Sequence, residues 1–174
     1  MLEEIDASLE LPTYEDLHQY PYVAAVMKEV LRLVPPAPNI GRMCNADITI
    51  GGYRIPKGVK VFVDSYGIHH NAKLYPDPEV FKPERFLPGG EAEKMPPCAY
   101  LPFGAGPRMC LGYKLAQEEV MLAVVRLYQR FLFRLTDPVM TKEVTPNMRM
   151  GISLAPFDGI NMQIISRNTT TTEM

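Results

Sequence analysis

Cysteine and histidine are scarce in this 174-residue chain, with three of each. Cys44, Cys98 and Cys110 form an odd, widely spaced set. It fits neither a disulfide framework nor the paired spacing of a zinc site, and a reducing compartment suits it better. His69 and His70 are adjacent, so a regular strand or helix cannot aim both at one ion, and His18 stands at no metal-binding spacing. A structural role is the expectation for them. An excess of one charge is lacking too: a net charge of −2 gives no electrostatic reason to expect nucleic acid as a partner. No apolar run nears the roughly 20 residues that span a bilayer, and Met1 opens no signal peptide.

Hydrophobic residues make up 47% and charged residues 22%, as in ordinary globular proteins, and the length suffices for one sizeable core. Proline is abundant, at 17, and clusters in turns from Pro35 to Pro107. That distribution predicts a long irregular middle rather than a helical bundle.

Leu2 to Leu9 reads as the end of an amphipathic helix, and Thr13, with Asp16 three residues on, as a helix cap. A helix is predicted from Pro21, which suits a first turn, to Val34, where Pro35-Pro36 stops it. Its side chains are almost all apolar, so burial on most sides is expected. Glu29 and Arg32, at i and i+3, share one face of it and must be paired if buried. Ile48–Ile50 and Tyr53–Ile55 flank Gly51-Gly52, a hairpin signal, and Val59, Val61 and Val63 alternate on one face of a further strand. Tyr113 to about Arg130 reads as a helix whose stripe comprises Tyr113, Ala116, Val120, Ala123, Leu127 and Phe131, with Lys114 and Glu118 paired elsewhere. Phe131–Leu135 leads into a strand, and Met148–Ala155 with Ile160–Ile165 are predicted to form a hairpin. Asn168-Thr169-Thr170 matches a glycosylation sequon, a short match that a frayed polar tail produces by chance.

The most informative stretch runs from Phe103 to Gly112, Phe-Gly-Ala-Gly-Pro-Arg-Met-Cys-Leu-Gly. Its glycines permit close approaches, and Pro107 stiffens the loop before Arg108 and Cys110. A cysteine entering a helix meets N–H groups and a dipole that favour the thiolate. Arg108 adds a fork of donors suited to a carboxylate. A thiolate beside such an arginine is what haem needs, one axial ligand for iron and one partner for a propionate.

This stretch resembles the haem-binding signature of the cytochrome P-450 family, Phe-x-x-Gly-x-Arg-x-Cys-x-Gly, with Phe103, Gly106, Arg108, Cys110 and Gly112 at every fixed position. Glu29 and Arg32 resemble the family's Glu-x-x-Arg motif, and Phe81-Lys82-Pro83-Glu84-Arg85-Phe86 its Pro-x-Arg-Phe segment. The resemblance covers almost the whole chain, from about Leu2 to Arg167. The resemblance implies a mixed α and β fold, mainly α, with small antiparallel sheets. It implies a buried network of Glu29, Arg32 and Arg85 that locks the loop before the cysteine, and haem bound through Cys110. Arg108 would hold a propionate, Phe103 would pack near the thiolate, and Arg42 stands where relatives place a second propionate-binding arginine. A solvated Arg42 at a strand start is the competing reading. Ala37, Pro38 and Ile40, with Ile152, Ser153 and Leu154 from a returning turn, become candidates to line a substrate site.

The family's oxygen-activating helix, with its small-Gly-x-acid-Thr signature, has no counterpart before Pro21. Residues 1–174 are therefore expected to be the carboxy-terminal, haem-binding portion of the fold, nearest in texture to the microsomal drug-oxidising and thromboxane-synthase-like branch. The activity implied is a haem-thiolate monooxygenase that takes electrons from a reductase and oxygenates a small lipophilic substrate. The alternatives are a non-catalytic fragment that needs the amino-terminal part, and a haem-thiolate peroxide isomerase. A full-length relative would sit on the cytosolic face of the endoplasmic reticulum, anchored only through an amino-terminal segment.

Overall fold

The computed structural model describes residues 4–5, 12–136, 148–150, 154–156 and 159–167. Glu4 and Ile5 are helical, and the rest of the helix expected up to Leu9 lies outside the described residues, as does the sequon at Asn168. A 3₁₀ turn spans Glu15–Gln19. The cap expected of Thr13 works in reverse there: the Asp16 carboxylate accepts from the Thr13 N–H at 2.8 Å and from its hydroxyl at 2.7 Å.

Helix α1 covers Pro21–Leu33 and ends as Pro35-Pro36 requires. Strand β1 (Asn39–Met43) follows, then the hairpin strands β2 (Ile48–Ile50) and β3 (Tyr53–Ile55), then β4 (Lys60–Asp64). Gly51 and Gly52 take φ of 57° and 85°, the left-handed pair that a tight two-residue hairpin demands. That hairpin is a sheet of its own, and β4 pairs instead with β1 in antiparallel register, Gly41 against Phe62 and Arg42 against Val61. Helix α2 is short, Ser65–His69, and the proline-rich middle that follows consists of turns and 3₁₀ segments up to Tyr113. Helix α3 spans Tyr113–Arg130, and strand β5 (Phe131–Leu135) continues from it.

The predicted terminal hairpin is replaced by two separate pairings. Strand β6 (Met148–Met150) pairs with β7 (Leu154–Pro156), while β8 (Met162–Ser166) pairs with β5. The free edge of β5 competes successfully for β8, a choice that local alternation cannot reveal.

The apolar core is small. Ile5, Leu17, Tyr20, Val23, Met121 and Val125 form it, where α1, the first 3₁₀ turn and α3 meet. On α3 the buried positions are Met121 and Val125, while Val120 and Leu127 of the expected stripe remain nearly half exposed. Two stripes one residue apart have the same period, and only the partner surface chooses between them. Glu118 faces Tyr14 rather than forming the expected pair with Lys114, and this contact raises the Tyr14 phenol above its ordinary value. On α1 the expectation of burial on most sides also changes: Val30 is 46% exposed, whereas the charged Glu29 and Arg32 are fully buried.

Candidate functional site

Two charges inside a protein must be matched, and Glu29 and Arg32 are matched on every side. Arg32 donates to the Glu29 carboxylate through Nε and Nη2, both at 2.8 Å. Its remaining donors reach the carbonyls of His69, at 2.9 Å, and Val80, at 3.3 Å. The guanidinium also lies over the Tyr75 ring, 5.1 Å from its centre. Glu29 Oε1 accepts the Lys82 N–H at 2.9 Å and stands 3.6 Å from Arg85 Nε. Arg85 itself donates to Glu91 and, at 2.8 Å, to the carbonyl of Asp77. Asp77 presents that carbonyl from a left-handed backbone, φ 49°, which aspartate tolerates better than most residues. Hydrogen bonds from Lys82 and Arg85 hold the Glu91 carboxyl below its ordinary value. Glu91 is thus a fourth member of the network. Its only signal in the sequence was one more acid in a charged run.

Tyr75 and Tyr100 seal this network from the other side. The Tyr75 hydroxyl donates to the Ala99 carbonyl at 2.9 Å, and the Tyr100 hydroxyl to the Lys28 carbonyl at 3.1 Å. Burial pushes the Tyr75 phenol up to about 12 and raises Tyr100 as well, so both remain donors at any physiological pH.

The Phe103–Gly112 loop follows directly. The Cys110 N–H donates to the Phe103 carbonyl at 3.0 Å, closing the loop on itself and leaving the cysteine exposed. Gly104, Gly106 and a 3₁₀ turn over Gly106–Arg108 make the bend, with φ of 78° and 73° at the two glycines. A Cβ on Gly104 would stand 3.5 Å from Ile40 Cδ1, so this loop lies against β1. Arg42, within β1 rather than at its start, donates from Nη2 to the Arg108 carbonyl at 3.0 Å. The two arginines singled out in the sequence therefore meet beside the cysteine loop. Phe103 packs near Tyr113, with ring centres 6.3 Å apart.

Between α1 and α3 opens an apolar cleft of about 390 Å³, lined among others by Val30, Val34, Pro36, Phe103, Ala116 and Val120. Of the substrate-lining candidates, Leu154 donates its N–H to the Pro36 carbonyl at 3.1 Å, which brings the terminal strands back over the segment after α1. Ala37 is exposed, Ile40 half-buried, and Pro38 buried with its carbonyl on Ser65 Oγ at 2.7 Å. Ile152 and Ser153 lie outside the described residues.

The sequence matches the cytochrome P450 family model over residues 1–158. The chain belongs to the cytochrome P450 family. It is 44% identical to cytochrome P450 3A28 of Bos taurus over 135 residues, which is 76% of this chain and 26% of that protein. To human cytochrome P450 3A7 it is 38% identical over 159 residues, 91% of this chain and 31% of the relative. The retinoic acid-bound cyanobacterial CYP120A1 superposes with a TM-score of 0.83 at 36% identity, covering 94% of this chain and 37% of that one. The chain thus spans roughly a quarter to a third of the length of these curated P450 relatives. The family, the branch and the mixed, mainly helical fold expected from the sequence agree with these matches. Among the described residues, no helix is long and apolar enough to cross a membrane.

Proposed function

We propose that residues 1–174 are the carboxy-terminal, haem-binding portion of a haem-thiolate monooxygenase, in which the Cys110 thiolate would hold the haem iron. The observation that carries this reading is the meeting of three groups of the right chemistry. An exposed cysteine sits at the end of a self-closed loop that also carries Arg108, and the Arg42 guanidinium reaches the Arg108 carbonyl from β1. A soft thiolate suits iron, and paired arginines suit two propionates.

Bound there, haem would supply activation of molecular oxygen, with electrons from a reductase and one oxygen atom delivered to a lipophilic substrate. The chain's own residues have simpler tasks. Cys110, as thiolate, donates electron density, and the loop's internal bond fixes where its sulfur points. Phe103 covers the loop with an apolar ring, and Gly106 and Gly112 let the backbone turn without side chains in the way. Arg42 and Arg108 hold the acidic edge of the ligand. Ala37, Ile40 and Leu154 offer apolar surface on the substrate side. Glu29, Arg32 and Arg85 remain beneath the loop as scaffold. In a full-length relative the compartment would be the cytosolic face of the endoplasmic reticulum.

A second reading, that haem is retained only when more polypeptide covers this part, is favoured by the open apolar cleft. Val30 and Val120 present exposed apolar side chains around it. One measurement separates the two. The 174-residue chain is loaded with haem, reduced and exposed to carbon monoxide, beside a Cys110→Ser control. A red-shifted Soret band that the control loses supports thiolate ligation by this chain. Its absence from the wild type assigns haem retention to a longer polypeptide.

A further inference from the structure

His69 is fully buried and belongs to none of the motifs described above. Each of its polar atoms nevertheless has a partner. Its carbonyl accepts Arg32 Nη1 at 2.9 Å, and its Nδ1 lies 3.2 Å from the Arg32 carbonyl. Its Nε2 lies 2.8 Å from the Leu101 N–H. A backbone carbonyl only accepts and a backbone N–H only donates, so the proton must sit on Nδ1 and leave Nε2 bare. Tyr100 stacks on the ring with centres 5.5 Å apart, and Tyr75 meets it edge-on at 6.4 Å.

From Leu101 the path to the cysteine is short. The Leu101 carbonyl accepts the Gly104 N–H at 3.2 Å, and the Phe103 carbonyl accepts the Cys110 N–H at 3.0 Å. We propose that His69 is a positioning residue for the cysteine loop, its imidazole joining the Arg32 backbone carbonyl near the end of α1 to the Leu101 N–H and so setting the start of the Phe103–Cys110 bend. The effect on Cys110 as a ligand rests on the haem reading above, whereas the effect on the loop does not. Loss of the Nε2 acceptor leaves the Leu101 N–H buried without a partner, which costs more than an ordinary hydrogen bond contributes.

Three variants separate this role from mere filling of space. His69→Gln places a carbonyl oxygen within reach of the Leu101 N–H. His69→Asn keeps an amide near the Arg32 carbonyl but falls short of Leu101. His69→Phe keeps the ring volume with neither bond. The measurement is amide hydrogen exchange in the 174-residue chain at Leu101 and Cys110, with Val125 in the α3 core as internal reference. Exchange at both sites should quicken by about tenfold or more in the Asn and Phe variants and stay close to wild type in Gln. Cys110 exchange within about twofold of wild type in Asn and Phe, or Gln as fast as Phe, overturns the proposal. Should a variant unfold throughout, the wild-type ring decides: ¹⁵N spectra must show Nδ1 protonated and Nε2 bare, and a proton on Nε2 overturns the assignment. With haem and carbon monoxide, the red-shifted band should weaken in Asn and Phe and persist in Gln. No such band even in the wild type would defeat the haem reading, and amide exchange alone would then judge His69.

Discussion

Arg42 and Arg108, 66 positions apart in sequence, are joined by a 3.0 Å hydrogen bond from the guanidinium of one to the carbonyl of the other. The bond fastens the cysteine loop to β1 and leaves the second arginine's own side chain free to recognise an anion. Both are exposed, so neither stabilises the fold much, and their joint position matters for what they can hold.

Arg42→Ala should therefore cost little stability, under about 1.5 kcal/mol, the contribution of one hydrogen bond at an exposed site. Haem affinity should fall by about tenfold, since a charge-assisted bond to a carboxylate is lost. Urea unfolding of the haem-free chain and titration with haem measure the two separately. A large stability loss with unchanged affinity would contradict the assignment.

Glu29→Ala should behave in the opposite way. Arg32 would be left buried without a carboxylate and Arg85 with Glu91 alone, at a cost of about 3–5 kcal/mol. A urea midpoint within experimental error of wild type would show that solvent reaches the network.

Gly90→Ala should destabilise by about 1–3 kcal/mol, as overpacking does. Gly90 has an ordinary backbone angle, φ −72°, but a Cβ there would stand 2.5 Å from the Arg85 carbonyl and 2.6 Å from that of Glu84. Backbone atoms cannot step aside, so the turn would shift and carry Glu91 away from Arg85. The Glu91 carboxyl should then titrate closer to its ordinary value, which carboxyl NMR resonances would report.

Acid should weaken the fold through His69. Burial lowers its pKa from an ordinary 6.5 to about 4. Between those values the unfolded chain binds a proton that the native chain refuses, so stability is complete above about pH 6.5 and falls as pH drops toward 4. The shift corresponds to about 3 kcal/mol. The Arg32 guanidinium from α1 and the neighbouring His70 both oppose its protonation. His69→Gln should flatten this part of the profile of urea midpoint against pH. A slope equal to that of wild type would assign the acid sensitivity to other groups.

The order of residues alone determined a good deal of this. Pro21, Pro35 and Pro36 set the ends of α1, and Gly51-Gly52 set a hairpin, because backbone sterics act locally. The Phe103–Gly112 pattern identified the cysteine loop, since its chemistry is compressed into ten neighbouring residues. Only the tertiary structure decided which stripe of α3 is buried, that β8 joins β5, and that Glu91 and His69 complete the charged network. The physical reason is the same in each case. Periodicity says that a face exists without saying what covers it, and a buried charge or imidazole is defined by partners contributed from distant segments. His69 owes its lowered pKa, its tautomer and its place under the cysteine loop to Arg32 and Leu101, 37 and 32 positions away.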